Sequence, residues 1–427
     1  MFHVNDDSVR SKLLKGNFGL EKESLRITGD GSFALTLNPF PGNKNIVYDF
    51  CENQTEINTD IAASAEEAER FLLMHTAQIH KKLASMEEHE YLWPFSNPPF
   101  IRNEKDIPIA RNSAKAEYSD GYREYLADRY GRYKMSLSGI HVNFSFSDEL
   151  LKADFEFSET DNFEEYKNRV YLDLAAGLAA CGWIVTALTA ASPLLDGSYN
   201  ERGRRGLTVF NGLASMRCSE LGYWNYFVPV FDYSDIRSYA AGIQQYVDTG
   251  LIAAPTELYY PVRLKSYGKN NLDRLAAEGV SHIELRTVDL NPFELSGINV
   301  KDLEFIQLLF AWIASNPWEK MTLRDQVQAA QNFKNAAHHD LKTVKIVTPF
   351  GQPRSVFRTA LDIIDDMLDF YRDFPDRVKE ILAFEKEKLL IPEKRYAWMV
   401  KEQFEDDFAG KGLELAKSIQ EKILENV

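Results

Sequence analysis

Residues 138–146, SGIHVNFSF, alternate without a break. Ile140, Val142, Phe144 and Phe146 fall on one side of a strand, and Gly139, His141, Asn143 and Ser145 on the other. Such a segment needs a sheet with one face on a core and the other face polar, which is the antiparallel arrangement. Residues 281–293 repeat the pattern, with Ile283 and Leu285 opposed to His282, Glu284 and Arg286. Residues 18–27, FGLEKESLRI, set Glu21 and Glu23 two positions apart, on one side and about 6.6 Å from each other. Residues 47–58 add Asp49, Glu52 and Glu56. Asp49 and Glu56 are separated by an odd number of positions, so they share a face only if a bend or bulge interrupts the strand.

Taken singly, each segment reads as a solvated strand face or a surface ion pair. Together they gather Glu21, Glu23, Asp49, Glu56, His141 and Glu284, too many acids for one surface unless a cation neutralises them. Oxygen donors with one imidazole suit Mg²⁺ or Mn²⁺ better than a structural zinc. Mg²⁺ also binds phosphate oxygens, which would let an acidic chain hold a triphosphate. The sequence has neither G-x-x-x-x-G-K-[ST] nor a G-x-G-x-x-G after a strand. Metals and arginines would therefore hold any ATP phosphates, with Arg286 the best-placed cation beside Glu284.

The balance of 49 basic against 64 acidic residues, a formal charge of −15, argues against nucleic acid and anionic membrane surfaces as partners. Cys51, Cys181 and Cys218 form no Cys-x-x-Cys pair and are odd in number, which suits a reduced, cytoplasmic protein. The first ten residues contain no apolar core and are read as no signal peptide. Residues 174–191 are uncharged over 18 positions but rich in Ala, Gly and Thr and lack a flanking basic cluster. They read as a tightly packed core helix and not a membrane span.

Strand patterns occur at 18–27, 46–58, 138–146, 256–265 and 280–288. Helices are expected from Ser64, with Glu67 at capping-box spacing, to about residue 86, and over 163–191 up to Ser192-Pro193. From Asp302 onward the pattern is almost all helical. Strands separated by helices of uneven length favour an α+β fold. One catalytic domain over 1–427 is expected, with a sheet-bearing part to about residue 300 and a helical part from 301 lying over the same sheet.

The motifs FGLEKESLRI, YDFCENQTE, YLWPFSNPP, YREYLADRYG, LSGIHVNFSF, ASPLL, SMRCSELGY, ELYYPVRLK and GVSHIELRTVDLNPF occur in this order between residue 18 and about 315. As a set they resemble glutamate–cysteine ligase, in particular the bacterial branch that includes the ligase part of fused glutathione-making enzymes. Beyond about residue 320 the resemblance rests on helical character alone. It implies a glutamine-synthetase-like fold, a curved antiparallel sheet forming an open bowl with helices packed outside. It also implies ATP-dependent joining of the γ-carboxylate of L-glutamate to the amine of L-cysteine through a γ-glutamyl phosphate.

Carried over by the motifs, Glu21, Glu23, Asp49, Glu56, His141 and Glu284 correspond to Mg²⁺ ligands. Arg286 corresponds to the arginine on the transferred phosphate, with Asn143 beside the nucleotide and Glu284 sharing the catalytic centre. Arg217 and Tyr223 match residues of the amino-acid substrate site, and Tyr122 and Tyr259 match tyrosines of the cysteine site. The sequence shows no second ATP-binding module after the helical tail, so γ-glutamylcysteine and not glutathione is the expected product. A related ligase joining glutamate to a different amine would carry the same metal and phosphate residues. A regulator that kept the fold and lost turnover is the reading from another class. The oligomeric state is left open.

Overall fold

A computed structural model describes residues 1–111, 120–201, 204–268, 271–348 and 351–425. The chain builds β1 (Gly16–Thr28), β2 (Ile46–Tyr48), β3 (Gln54–Asn58), β4 (Glu90–Leu92) and β5 (Ile140–Phe146). It continues with β6 (Leu194–Asp196), β7 (Thr208–Phe210), β8 (Val262–Lys265) and β9 (His282–Val288). The main sheet is open and runs β2-β3-β1-β5-β9-β8, with β4 added on β1 and every pair antiparallel. β6 and β7 pair separately. This is the glutamine-synthetase-like α+β class that the sequence leads one to expect.

The side of the sheet carrying Leu20, Val142, Phe144, Ile283, Leu285, Val262 and Leu264 is buried. Helices cover it because only an apolar layer can satisfy those side chains. Helix Ala65–Ala84 lies against β1 and β3, and helix Phe163–Cys181 against β8 and β9. Helix Val300–Ser315 sends Phe310 edge-on into Phe144, with centroids 5.4 Å apart. Helix Val300–Ser315 is thus in direct contact with β5. One core cluster runs from Phe2 to Leu389 and joins both parts of the chain.

Three local readings change. Residues 46–58 are not one strand but the β2–β3 hairpin, turned over Asp49–Asn53 with Gln54 N–H donating to the Cys51 carbonyl at 2.9 Å. The strand at 256–265 shrinks to β8, because Pro255–Glu257 is a short 3₁₀ turn and Pro261 has no N–H for the ladder. The helix at 163–191 breaks into Phe163–Cys181 and Trp183–Thr189, bent by 55° at Gly182. A Cβ at Gly182 would lie 2.5 Å from the Leu178 carbonyl oxygen, so the bend needs a residue without one. Residues 174–191 are mostly buried, as expected of a core helix. No single helix among the described residues is long and apolar enough to cross a membrane.

The Ser64 hydroxyl caps helix Ala65–Ala84 by accepting from Glu67 N–H at 3.2 Å. Glu67 returns its carboxylate to the N–H of Ala63 and not of Ser64, so only half of the expected capping box forms.

Candidate active site

Register carries the acids to one face. Val47 pairs with Glu56, Glu56 with Glu23, Glu21 with His141, Asn143 with Glu284, and Glu284 with Arg263. Directly paired residues of antiparallel strands point to the same side. The Asp49 amide donates to the Gln54 carbonyl at 3.2 Å, which sets Asp49 two positions beyond Val47 on the side of Glu56. The odd spacing is therefore resolved by the hairpin turn. Across the face, acids dominate on β1, β3 and the end of β2, and Arg263, Lys265 and Arg286 stand on β8 and β9.

At the centre, His141 Nδ1 lies 3.2 Å from Glu21 Oε2 and 3.6 Å from Glu284 Oε1. Its Nε2 lies 3.0 Å from Arg217 Nη2. Arginine can only donate, so Nε2 accepts and Nδ1 carries the imidazole proton toward Glu21. Asn143 Nδ2 donates to Glu21 Oε1 at 3.1 Å, and Arg286 Nη1 to Glu284 Oε1 at 3.1 Å. Glu284 Oε2 is buried and has no hydrogen-bond partner among the described residues.

The two glutamates of FGLEKESLRI are held in opposite states. Burial pushes the Glu21 carboxyl up, but the His141 hydrogen bond and the Lys265 charge overcome it, and Glu21 stays well below the usual carboxylate range. Glu23 is mostly buried, with Asp49 and Glu56 beside it, and rises to about 8, despite Arg217. Burial and the Arg286 charge push His141 down to about 4, so the imidazole is neutral near pH 7. Burial of Glu284 is outweighed by Lys265, Arg286 and Arg263, which keep it ionised.

Glu21, His141 and Glu284 present ligand atoms that all lie within 4.8 Å of one another. Two ionised carboxylates and one orphaned buried oxygen fit a hard divalent cation, and the imidazole joins them through Nδ1 once its proton passes to Nε2 and Arg217 draws back from that nitrogen. Glu23, Asp49 and Glu56 form a neighbouring acidic group outside that set. Glu23 Oε2 accepts from Gly139 N–H at 3.1 Å and Glu56 Oε1 from Asn58 Nδ2 at 3.0 Å.

Beside the acids, Arg217, Cys218, Tyr223, Trp224, Tyr259 and Arg286 line part of a pocket of about 350 Å³ including its open mouth. The Tyr223 and Tyr259 rings meet at 4.2 Å, and burial raises both phenols. Tyr122, on helix Asp120–Tyr130, stands apart from this lining. Its hydroxyl lies 3.2 Å from Thr256 Oγ1, and its ring packs in the same aromatic cluster.

The segment carrying Arg217 is held by a residue that alternation did not single out. Buried Asp289 accepts from Ser215 Oγ at 2.9 Å, from Ser192 Oγ at 2.6 Å and from Ala191 N–H at 3.0 Å. The Arg217 guanidinium is then fixed by its 2.6 Å bond to the Arg286 carbonyl and passes so close to Gly139 that a Cβ there would lie 2.3 Å from it. All three cysteines are free and buried. Burial keeps the Cys51 thiol well above its ordinary value and raises Cys218 to about 11, which suits packing rather than reactivity.

The sequence profile of the glutamate–cysteine ligase family matches residues 1–251 and 226–336. The chain belongs to the glutamate–cysteine ligase family. The glutathione biosynthesis bifunctional protein GshAB of Listeria monocytogenes is 33% identical over 415 residues, which is 93% of this chain and 53% of that protein. Its counterpart in Streptococcus mutans is 36% identical over 351 residues, or 80% of this chain and 44% of that protein. The chain thus spans about half the length of these curated relatives.

Among solved structures, a glutamate–cysteine ligase from Francisella tularensis in complex with AMP superposes with a TM-score of 0.85 at 22% identity. The match covers 96% of this chain and 89% of that one. A bifunctional glutathione synthetase from Pasteurella multocida gives 0.81 at 26%, over 98% of this chain and 54% of that one. Both likenesses extend through the C-terminal helices, where the family profile no longer matches.

Proposed function

We propose that the chain joins the γ-carboxylate of L-glutamate to the amine of L-cysteine at the expense of ATP, forming γ-glutamylcysteine, ADP and phosphate, the first step of glutathione biosynthesis. The observation that carries this reading is the Glu21–His141–Glu284 cluster with Arg286 bonded to Glu284. It sits beside a pocket lined by Arg217, Tyr223 and Tyr259. Family membership supports the same reading.

A carboxylate is a poor electrophile until it is phosphorylated. Its γ-oxygen attacks the terminal phosphorus of ATP and ADP leaves. The amine then attacks the carbonyl carbon of the γ-glutamyl phosphate, phosphate leaves, and the amine gives up a proton. Most of the catalysis is positioning and charge neutralisation. Glu21, His141 and Glu284 would hold one divalent cation, and Glu23, Asp49 and Glu56 offer oxygen donors for another. When bound, Mg²⁺ or Mn²⁺ neutralises phosphate oxygens and the facing acids. Arg286 steadies the transferring phosphoryl group with Asn143 beside it, and Arg217 takes a substrate carboxylate. Tyr223, Tyr259 and Tyr122 shape the acceptor side. Residues 1–427 act as one catalytic domain, and the free cysteines suit a cytoplasmic setting.

The test is ADP formation with ATP, Mg²⁺ and L-glutamate, with and without L-cysteine, and the product identified by mass. A cysteine-dependent rate with the mass of γ-glutamylcysteine is the expected result. Glutamate-dependent ADP formation indifferent to cysteine refutes cysteine as the acceptor, and no turnover with any amine refutes the ligase reading.

A further inference from the structure

The cationic half of the sheet's polar face holds a lysine, the last residue of ELYYPVRLK, that has no role in the reading above. On β8, Arg263 and Lys265 stand across from Glu284 and His282. The two cations are used differently. Arg263 is buried and turns its Nη2 back onto the carbonyls of Thr256 and Leu258, where it tethers the chain entering β8. Lys265 remains partly open, its side chain 17% exposed, and its nearest charged neighbour is Glu284 Oε1 at 3.6 Å. That distance is too long for a hydrogen bond, and among the described residues its ammonium makes none.

Arg286 Nη1 lies 3.1 Å from the same Glu284 oxygen, and His141 Nδ1 lies 3.6 Å from it. One carboxylate oxygen thus gathers two permanent cations and a potential metal ligand. If Glu284 gives its charge to a divalent cation shared with Glu21 and His141, two cations are left without that counter-charge. Arg286 lines the neighbouring pocket, and Lys265 stands on the adjoining strand β8 with its side chain partly exposed. A Lys ammonium with three donors and no protein acceptor suits an anion as a point charge.

We propose that Lys265 is a second phosphate-binding cation of the site, holding a polyphosphate oxygen of the nucleotide alongside Arg286. The inference rests on the ligase reading for the identity of the nucleotide.

Binding of ADP and of adenosine, each with Mg²⁺, is measured by calorimetry for the wild type, Lys265→Met and Lys265→Arg. The methionine keeps the stem of the side chain and removes the charge, and thermal unfolding confirms that both variants fold. The expected result is an approximately tenfold weaker affinity of K265M for ADP, unchanged adenosine binding, and recovery to within about threefold in K265R. The wild-type affinity for ADP falls more steeply with added salt than that of K265M. Equal ADP affinity in wild type and K265M overturns the proposal, as does an equal loss for adenosine. A wild type that binds ADP but forms no product with any amine refutes the ligase reading and leaves the Lys265 comparison intact. A wild type that binds no ADP overturns both.

Discussion

Gly139 precedes His141 on the polar side of the LSGIHVNFSF segment, and replacing it with alanine probes how tightly Arg217 is placed. The added Cβ would stand 2.3 Å from Arg217 Cζ, 2.5 Å from Nε and 2.7 Å from Nη2. Carbon contacts are comfortable at about 3.5 Å, so one side must yield by about 1 Å. The strand is fixed by its ladder, whereas the guanidinium ends a flexible chain, so Arg217 moves. It then gives up the 2.6 Å bond to the Arg286 carbonyl or the 3.0 Å contact with His141 Nε2. A hydrogen bond from a charged group contributes about 1.5–3 kcal/mol, which corresponds to about a 10- to 150-fold fall in kcat/KM for glutamate in the proposed reaction. Melting should shift by only a few degrees, because the strain is relieved into the pocket. The assay is steady-state kinetics on G139A, R217A and the double variant. If the alanine acts only through Arg217, the double variant is no worse than R217A. Additive losses, or wild-type kinetics in G139A, refute the reasoning.

Glu21→Gln removes an ionised partner of His141 and should abolish nearly all turnover while leaving thermal stability within about 1 kcal/mol, checked by paired kinetics and melting. In protein stripped of metal by a chelator, Glu23 keeps its proton up to about pH 8, whereas in the unfolded chain it ionises near its ordinary value. The folded state then binds more protons across that interval, so stability falls as pH rises from about 4.5 to 8, and Mg²⁺ should flatten the decline in a denaturation series. Glu90→Gln breaks a fully buried 2.6 Å ion pair with Arg26 and should destabilise the fold by about 3–5 kcal/mol by denaturant titration, with activity per folded molecule retained.

Much of the site is legible because alternation records which side chains share a face. His141 with Asn143, and Glu284 with Arg286, can be placed from two short strands alone. Asp49 and Glu56 show where this reading weakens. Their odd spacing demands a bend, but DFCEN offers no glycine or proline to mark the turn that forms there. Arg26 and Asp289 could not be placed at all. The pairing that lets Arg26 be buried comes from Glu90, 64 positions away, and Asp289 answers hydroxyls on two distant loops. A sequence shows that a residue is charged but not which remote partner will permit its burial. Gly139 is invisible for the same reason, since its constraint is the path of Arg217.

The order of strands in space has a consequence for synthesis on the ribosome. β1 is made first and ends up between β3 and β5, but Glu284 belongs to β9, some 250 residues later. At translation rates of about 5–20 residues per second, β1 and its hairpin neighbours wait roughly 12–50 s before the last contributor to the Glu21–His141–Glu284 cluster exists. During that wait the edge that will receive β5 stands open for part of the time, the kind of edge that recruits other chains. Its row of carboxylates, harmful to a bare strand pair, then repels a copy of itself on a neighbouring nascent chain. The acids that later gather on the sheet's polar face would guard the unfinished sheet against aggregation.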